Sequence, residues 1–93
     1  MADRLDLIRE FVSKYRARIT RGLATYGEFD PATDTRCLSH EAIEEVLDVG
    51  SYLEFLEAKR PDLSSPIQKI RAKAILLYGE LKKLETLERA RTT

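Results

Sequence analysis

Cysteine is almost missing from this chain: Cys37 stands alone. One thiol forms no intrachain disulfide and supplies no cysteine-built zinc site. Long apolar runs are missing as well, since no stretch reaches the ~20 consecutive apolar residues that cross a bilayer. The opening residues Met1-Ala2-Asp3-Arg4 carry no apolar segment of the secretory kind. The expectation is a cytoplasmic protein with no membrane partner. Net charge is zero, which disfavours nonspecific binding to duplex nucleic acid, because that requires a broad uncompensated basic surface. Internal repeats, low-complexity tracts and strand-like alternation are all lacking.

What remains is a 93-residue chain that is 43% apolar and 34% charged, too apolar for disorder and too charged for a membrane protein. Its charge is sorted along the chain. From Glu28 to Asp62 ten acidic residues face three basic ones, and the flanking segments hold the excess Lys and Arg. A cation-binding centre between basic arms fits that distribution.

Apolar periodicity of three and four residues predicts three amphipathic helices. Leu5, Ile8, Val12, Tyr15, Ile19, Leu23 and Tyr26 form one stripe of a first helix over about 3–24. Lys14, Arg18 and Arg21 form a second stripe on its other side. Residues 26–36 are rich in turn formers around Pro31 and read as an ordered loop. A second helix is predicted over about 40–59, with Ser39 as its N-cap and Glu41 in its first turn. Pro61 ends it. Ser64-Ser65-Pro66 opens a third helix over about 66–89, where Ile67, Ile70, Ala74, Leu77, Leu81 and Leu84 keep an a/d alternation suited to a bundle seam. The fold class is therefore all-α: a single helical domain over 1–93, a three-helix chain that forms a four-helix-bundle-like core through oligomerisation. Three helices of this size bury a thin core, so a homodimer or homotetramer is expected.

Chemistry concentrates on the second helix. Glu41, Glu44, Glu45 and Asp48 fall within an arc of about 100° on one face, and between Leu38 and Ala58 there are six acids and no base. Carboxylates one turn apart are hard oxygen ligands of the kind Mg²⁺ takes together with substrate phosphates. Two other readings stand beside this one. The face is solvated, or it pairs with Lys14, Arg18 and Arg21, whose spacing mirrors that of Glu41, Glu45 and Asp48; exposed pairs of that sort contribute only ~0–1 kcal/mol each. His40-Glu41-Ala42-Ile43-Glu44 lacks the second His of a zinc-protease helix, and Cys37 reads as a small buried apolar residue.

The run from His40 to Leu53, preceded by Arg21-Gly22 and Tyr26-Gly27, resembles short phage-type members of the MazG-like all-α nucleoside triphosphate pyrophosphohydrolase superfamily. The resemblance covers about residues 14 to 57. It rests on Glu45-Val46-Leu47-Asp48, which matches that family's ExxD element, and on the apolar-aromatic run that follows. The family's EExxE element has only His40-Glu41-Ala42-Ile43-Glu44 as an approximation, with His in the first place and on the same helix. The resemblance implies hydrolysis of nucleoside triphosphates to monophosphate and pyrophosphate with Mg²⁺ as cofactor. Glu41, Glu44, Glu45 and Asp48 would hold the metal, with Glu45 or Glu41 orienting the attacking water. Lys14, Arg18, Arg21 and Arg36 are the candidate phosphate ligands, and Tyr52 is a candidate for stacking on the base. The competing reading, from a different class, is a noncatalytic helical oligomerisation or adaptor module.

Overall fold

The computed structural model describes residues 3–90. The protein is all-α, with three helices and no strand among the described residues. Its contacts fall into two units, Met1–Asp34 and Thr35–Thr93, although the sequence reads as one helical domain. The turn-rich segment after the first helix separates them.

The first unit is built on α1, Arg4–Tyr26. Asp3 caps it by accepting from the Asp6 amide at 2.8 Å, which satisfies one of the four orphan donors of a helix start. The helix continues past Ala24, where the sequence places its end, because the single Gly22 costs only about 1 kcal/mol against alanine. It stops at Gly27, which adopts φ 86° and ψ −179° and donates its amide to the Leu23 carbonyl at 2.9 Å. That backbone region is nearly closed to residues with a Cβ. No described residue of α1 is buried. Its apolar stripe is left open, with Phe11 and Tyr15 in edge-to-face contact at 5.4 Å between ring centroids.

In the loop that follows, Asp30 holds a turn around Pro31, its carboxylate accepting from the Ala32 amide at 3.0 Å and its carbonyl from the Thr33 and Asp34 amides.

The second unit is a helical hairpin. Its first arm, α2, spans Leu38–Lys59; a single 3₁₀ turn over Pro61–Leu63 reverses the chain; its second arm, α3, spans Ser64–Ala90. Pro61 begins the turn where its missing N–H does no harm, and Arg60 clamps the turn through a two-point pair with Asp62 at 2.9 and 2.7 Å. The two arms are antiparallel, and the apolar core between them is small. Only Ile43 (4% exposed) and Ile67 (2% exposed) are buried apolar residues among those described. Polar clusters close the hairpin at its two ends. At the turn end the Glu57 carboxylate accepts from the Ser64 hydroxyl at 2.7 Å, the Gln68 amide at 3.1 Å and the Arg71 guanidinium at 3.1 Å.

Ser39 is not the N-cap of α2. Cys37 occupies that position and makes no side-chain cap bond, and the first helical amides are satisfied from across the hairpin instead. Glu88 of α3 accepts from the Leu38 amide at 3.0 Å, the Ser39 amide at 2.9 Å and the Ser39 hydroxyl. A negative carboxylate at the positive end of a helix is doubly favoured, by hydrogen bonding and by the helix dipole. Ser39 is buried as a result.

Candidate functional site

All four carboxylates of the acidic face lie on α2 and are exposed. They fall into two groups. Glu44 lies against His40, Nε2 to Oε1 at 3.2 Å, and the other ring nitrogen of His40 meets Glu85 of α3, Nδ1 to Oε2 at 2.9 Å. Both contacts are hydrogen bonds only in the imidazolium form, in which each ring nitrogen donates. His40 thereby ties the first turn of α2 to α3 and draws Glu44 toward itself. Glu45 and Asp48 are different: one helical turn apart, they have no hydrogen-bond or ion-pair partner within the hairpin. Glu41 has none through its side chain either, while its amide closes the first helical bond to the Cys37 carbonyl at 3.1 Å.

The acids that do have partners are elsewhere. Glu57 is held below the usual carboxylate range by the Ser64 hydroxyl first and the Arg71 guanidinium next. Glu85 is lowered by His40 first and then by Arg89, with Lys82 also in contact at 3.3 Å. Glu88 is lowered to about 2, chiefly by the Ser39 hydroxyl and amide. Thus the hairpin spends its structural hydrogen bonds on Glu57, Glu85 and Glu88 and leaves the Glu45 and Asp48 pair to solvent. Sequence reasoning did not single out Glu57, Glu85 or Glu88. The only signal for the last two was their spacing of three residues near the end of α3, which puts them on one face.

Among the described residues no three His, Cys, Asp or Glu side chains converge as a metal-holding group. The donor chemistry of Glu45 and Asp48 nevertheless suits Mg²⁺, which commonly takes one or two carboxylates plus phosphate oxygens and retains water, rather than a full protein cage.

The remaining candidates are spread over both units. Lys14, Arg18 and Arg21 lie on α1 and are exposed; Lys14 is engaged by Glu10 of the same helix at 3.1 Å. Arg36 sits in the loop before α2 and has interactions of its own. Tyr52 lies on α2 one turn beyond Asp48 and is 73% exposed, with Phe55 beside it at 67%. Neither ring belongs to the hairpin core. Cys37 is half-buried, its Sγ 3.5 Å from the Ser39 hydroxyl oxygen.

Along one side of the hairpin runs an open groove lined by Val46, Leu47 and Gly50 of α2 and by Arg71, Ala74, Ile75 and Tyr78 of α3. Its lining is almost wholly apolar, and Gly50 and Ala74 leave room for a close approach. No helix of the described residues is long and apolar enough to cross a membrane. Compared with protein-family models, with curated proteins and with solved structures, the chain matches none.

Proposed function

We propose that this protein is a cytoplasmic, Mg²⁺-dependent nucleotide pyrophosphohydrolase that works as a homodimer or homotetramer and splits nucleoside triphosphates into monophosphate and pyrophosphate. The observation that carries the reading is the pair Glu45 and Asp48, exposed, one turn apart and without a partner in the hairpin, while Glu44 is held by His40 and Glu57, Glu85 and Glu88 are taken up by structural bonds. The Glu45-Val46-Leu47-Asp48 spacing is also the element on which the family resemblance rests.

In this reading Glu45 and Asp48 hold the metal, and Glu41 assists them. Mg²⁺, when bound, supplies neutralisation of phosphate charge and a more acidic water. Glu45 or Glu41 orients the attacking water by accepting its hydrogen bond. Glu44 contributes less than the spacing alone implies, because His40 holds it. Lys14, Arg18, Arg21 and Arg36 are the cations assigned to the phosphates, where charge-assisted hydrogen bonds are strongest, and Tyr52 is the ring assigned to the base. The three free carboxylates of the face, Glu41, Glu45 and Asp48, all sit on one helix, so a second copy would supply the rest of the site.

The second reading, a noncatalytic helical oligomerisation or adaptor module, is favoured by the open apolar faces. Leu47, Ile70, Ile75, Leu76, Leu77 and Leu84 of the hairpin are all exposed, apolar side chains of the kind that a partner helix or a second copy covers. Pyrophosphate release from a panel of ribo- and deoxynucleoside triphosphates with Mg²⁺, run beside Glu45→Ala and Asp48→Ala, separates the two. Metal-dependent turnover that both variants abolish supports the enzyme. Silence across the panel, with association intact, rejects it in favour of the module.

A further inference from the structure

The two ends of the hairpin are held by separate polar clusters, and only one of them guards a chain opening. Glu57, Ser64, Gln68 and Arg71 close the end at the 3₁₀ turn, where the chain is continuous and the arms cannot part. The other end has no covalent tie. There Glu88 covers the first two amides of α2, and Glu85 receives His40 at 2.9 Å, Arg89 at 3.1 Å and Lys82 at 3.3 Å. Ser39 and Glu57 are 18 residues apart on α2, about 27 Å at the helical rise, so neither cluster supports the other directly. Between the clusters the seam is only half-buried, lined by Val46, Gly50 and Leu53 of α2 and by Ala74 and Leu81 of α3, and the two buried isoleucines sit toward its ends, Ile43 one turn from the first cluster and Ile67 beside the second.

We infer that Glu85 and Glu88 form a latch: a two-point clasp from α3 that closes or releases the first turn of α2 independently of the rest of the hairpin. The physical basis is the orphan donors of a helix start. The amides of Leu38 and Ser39 have no intrahelical acceptor, Cys37 offers no side-chain cap, and Glu88 is the acceptor that the fold supplies to both. When Glu88 leaves, the Ser39 hydroxyl and both amides lose their acceptor together. The bond from the Glu41 amide to the Cys37 carbonyl then becomes the terminal one and frays. The latch therefore governs the order of the turn that carries Glu41, whatever the acidic face binds. Glu85 holds the second point through His40, and its own charge is balanced by Lys82 and Arg89, so that releasing His40 leaves Glu85 compensated. Release costs little beyond the hydrogen bonds themselves, which suits a latch better than a buried unpaired charge does.

The test is site-resolved amide exchange of the full chain, with alkylation of Cys37 by iodoacetamide as a second readout, because Cys37 is the residue from which the latched turn starts. In Glu88→Ala the amides of Leu38 to Glu41 should exchange faster by on the order of tenfold, and Cys37 should be alkylated faster. Amides around Gln68 and Arg71 should stay as in the wild type. Ser39→Ala, which deletes one of the three bonds and leaves the carboxylate, should show the same pattern to a smaller extent. Acceleration of equal size at both ends in either variant, including global unfolding, overturns a separable latch. No acceleration at Leu38 to Glu41 overturns it as well.

Discussion

At the residue scale, what distinguishes the acids of this protein is the company they keep. Glu88 illustrates the sign of the effect on stability. Its carboxyl titrates at about 2 in the fold against an ordinary 4.5. Such a lowered group stabilises the native state fully above pH 4.5 and loses that contribution as pH falls through 2. Glu57 and Glu85 are shifted in the same direction. Acid unfolding followed by circular dichroism should therefore show wild type and Glu88→Gln separated above pH 4.5 and converging toward pH 2. Curves that stay parallel throughout would contradict the assignment of the charge to the α2 start. Glu45 and Asp48, lacking partners in the hairpin, behave differently: Glu45→Ala and Asp48→Ala should leave thermal stability within about ±0.5 kcal/mol of wild type, as surface substitutions do. In the proposed enzyme the same variants lose Mg²⁺ binding, measurable by calorimetric titration.

At the element scale, α1 and the hairpin depend on different forces. α1 buries nothing in its own unit, so its persistence rests on propensity, the Asp3 cap and i,i+4 pairs such as Glu10 with Lys14. Gly22 has open space around it, and Gly22→Ala should stabilise α1 by ~0.5–1 kcal/mol. Gly27 also has open space, but its positive φ makes Gly27→Ala costly by ~1–3 kcal/mol. Helix content against temperature checks both signs. In the hairpin the buried core is two isoleucines deep. Ile43→Ala and Ile67→Ala should each cost ~2–5 kcal/mol, a large share of the stability of so small a unit, and a denaturant midpoint measures it.

At the scale of the whole molecule, the chain has zero net charge and leaves many large apolar side chains exposed. The groove lined by Leu47, Ile75 and Tyr78 is the patch that association of copies would cover. If the chain is a homo-oligomer, as proposed, its melting temperature rises with protein concentration, because assembly is linked to folding by mass action. A charge placed in the groove, as in Ile75→Glu, should shift sedimentation toward the smaller species and lower the melting temperature at a fixed concentration. A melting temperature independent of concentration over a hundredfold range would argue against assembly.

The sequence by itself determined the all-α class and the three helices, because apolar spacing and stop signals such as Pro61 act over a few residues. It also determined which carboxylates share the α2 face, since helical periodicity alone places Glu41, Glu44, Glu45 and Asp48 there. The start of α2 was not legible. Ser39 is a good N-cap by type, yet its hydroxyl and amide are claimed by Glu88, 49 residues away, and no local rule weighs a residue so distant. His40 likewise read as a helix-start residue, while the structure gives it a place between Glu44 and Glu85. Tertiary structure alone decided which acids are spent on the fold and which remain free, because that depends on what the antiparallel arm brings within about 3 Å of each carboxylate.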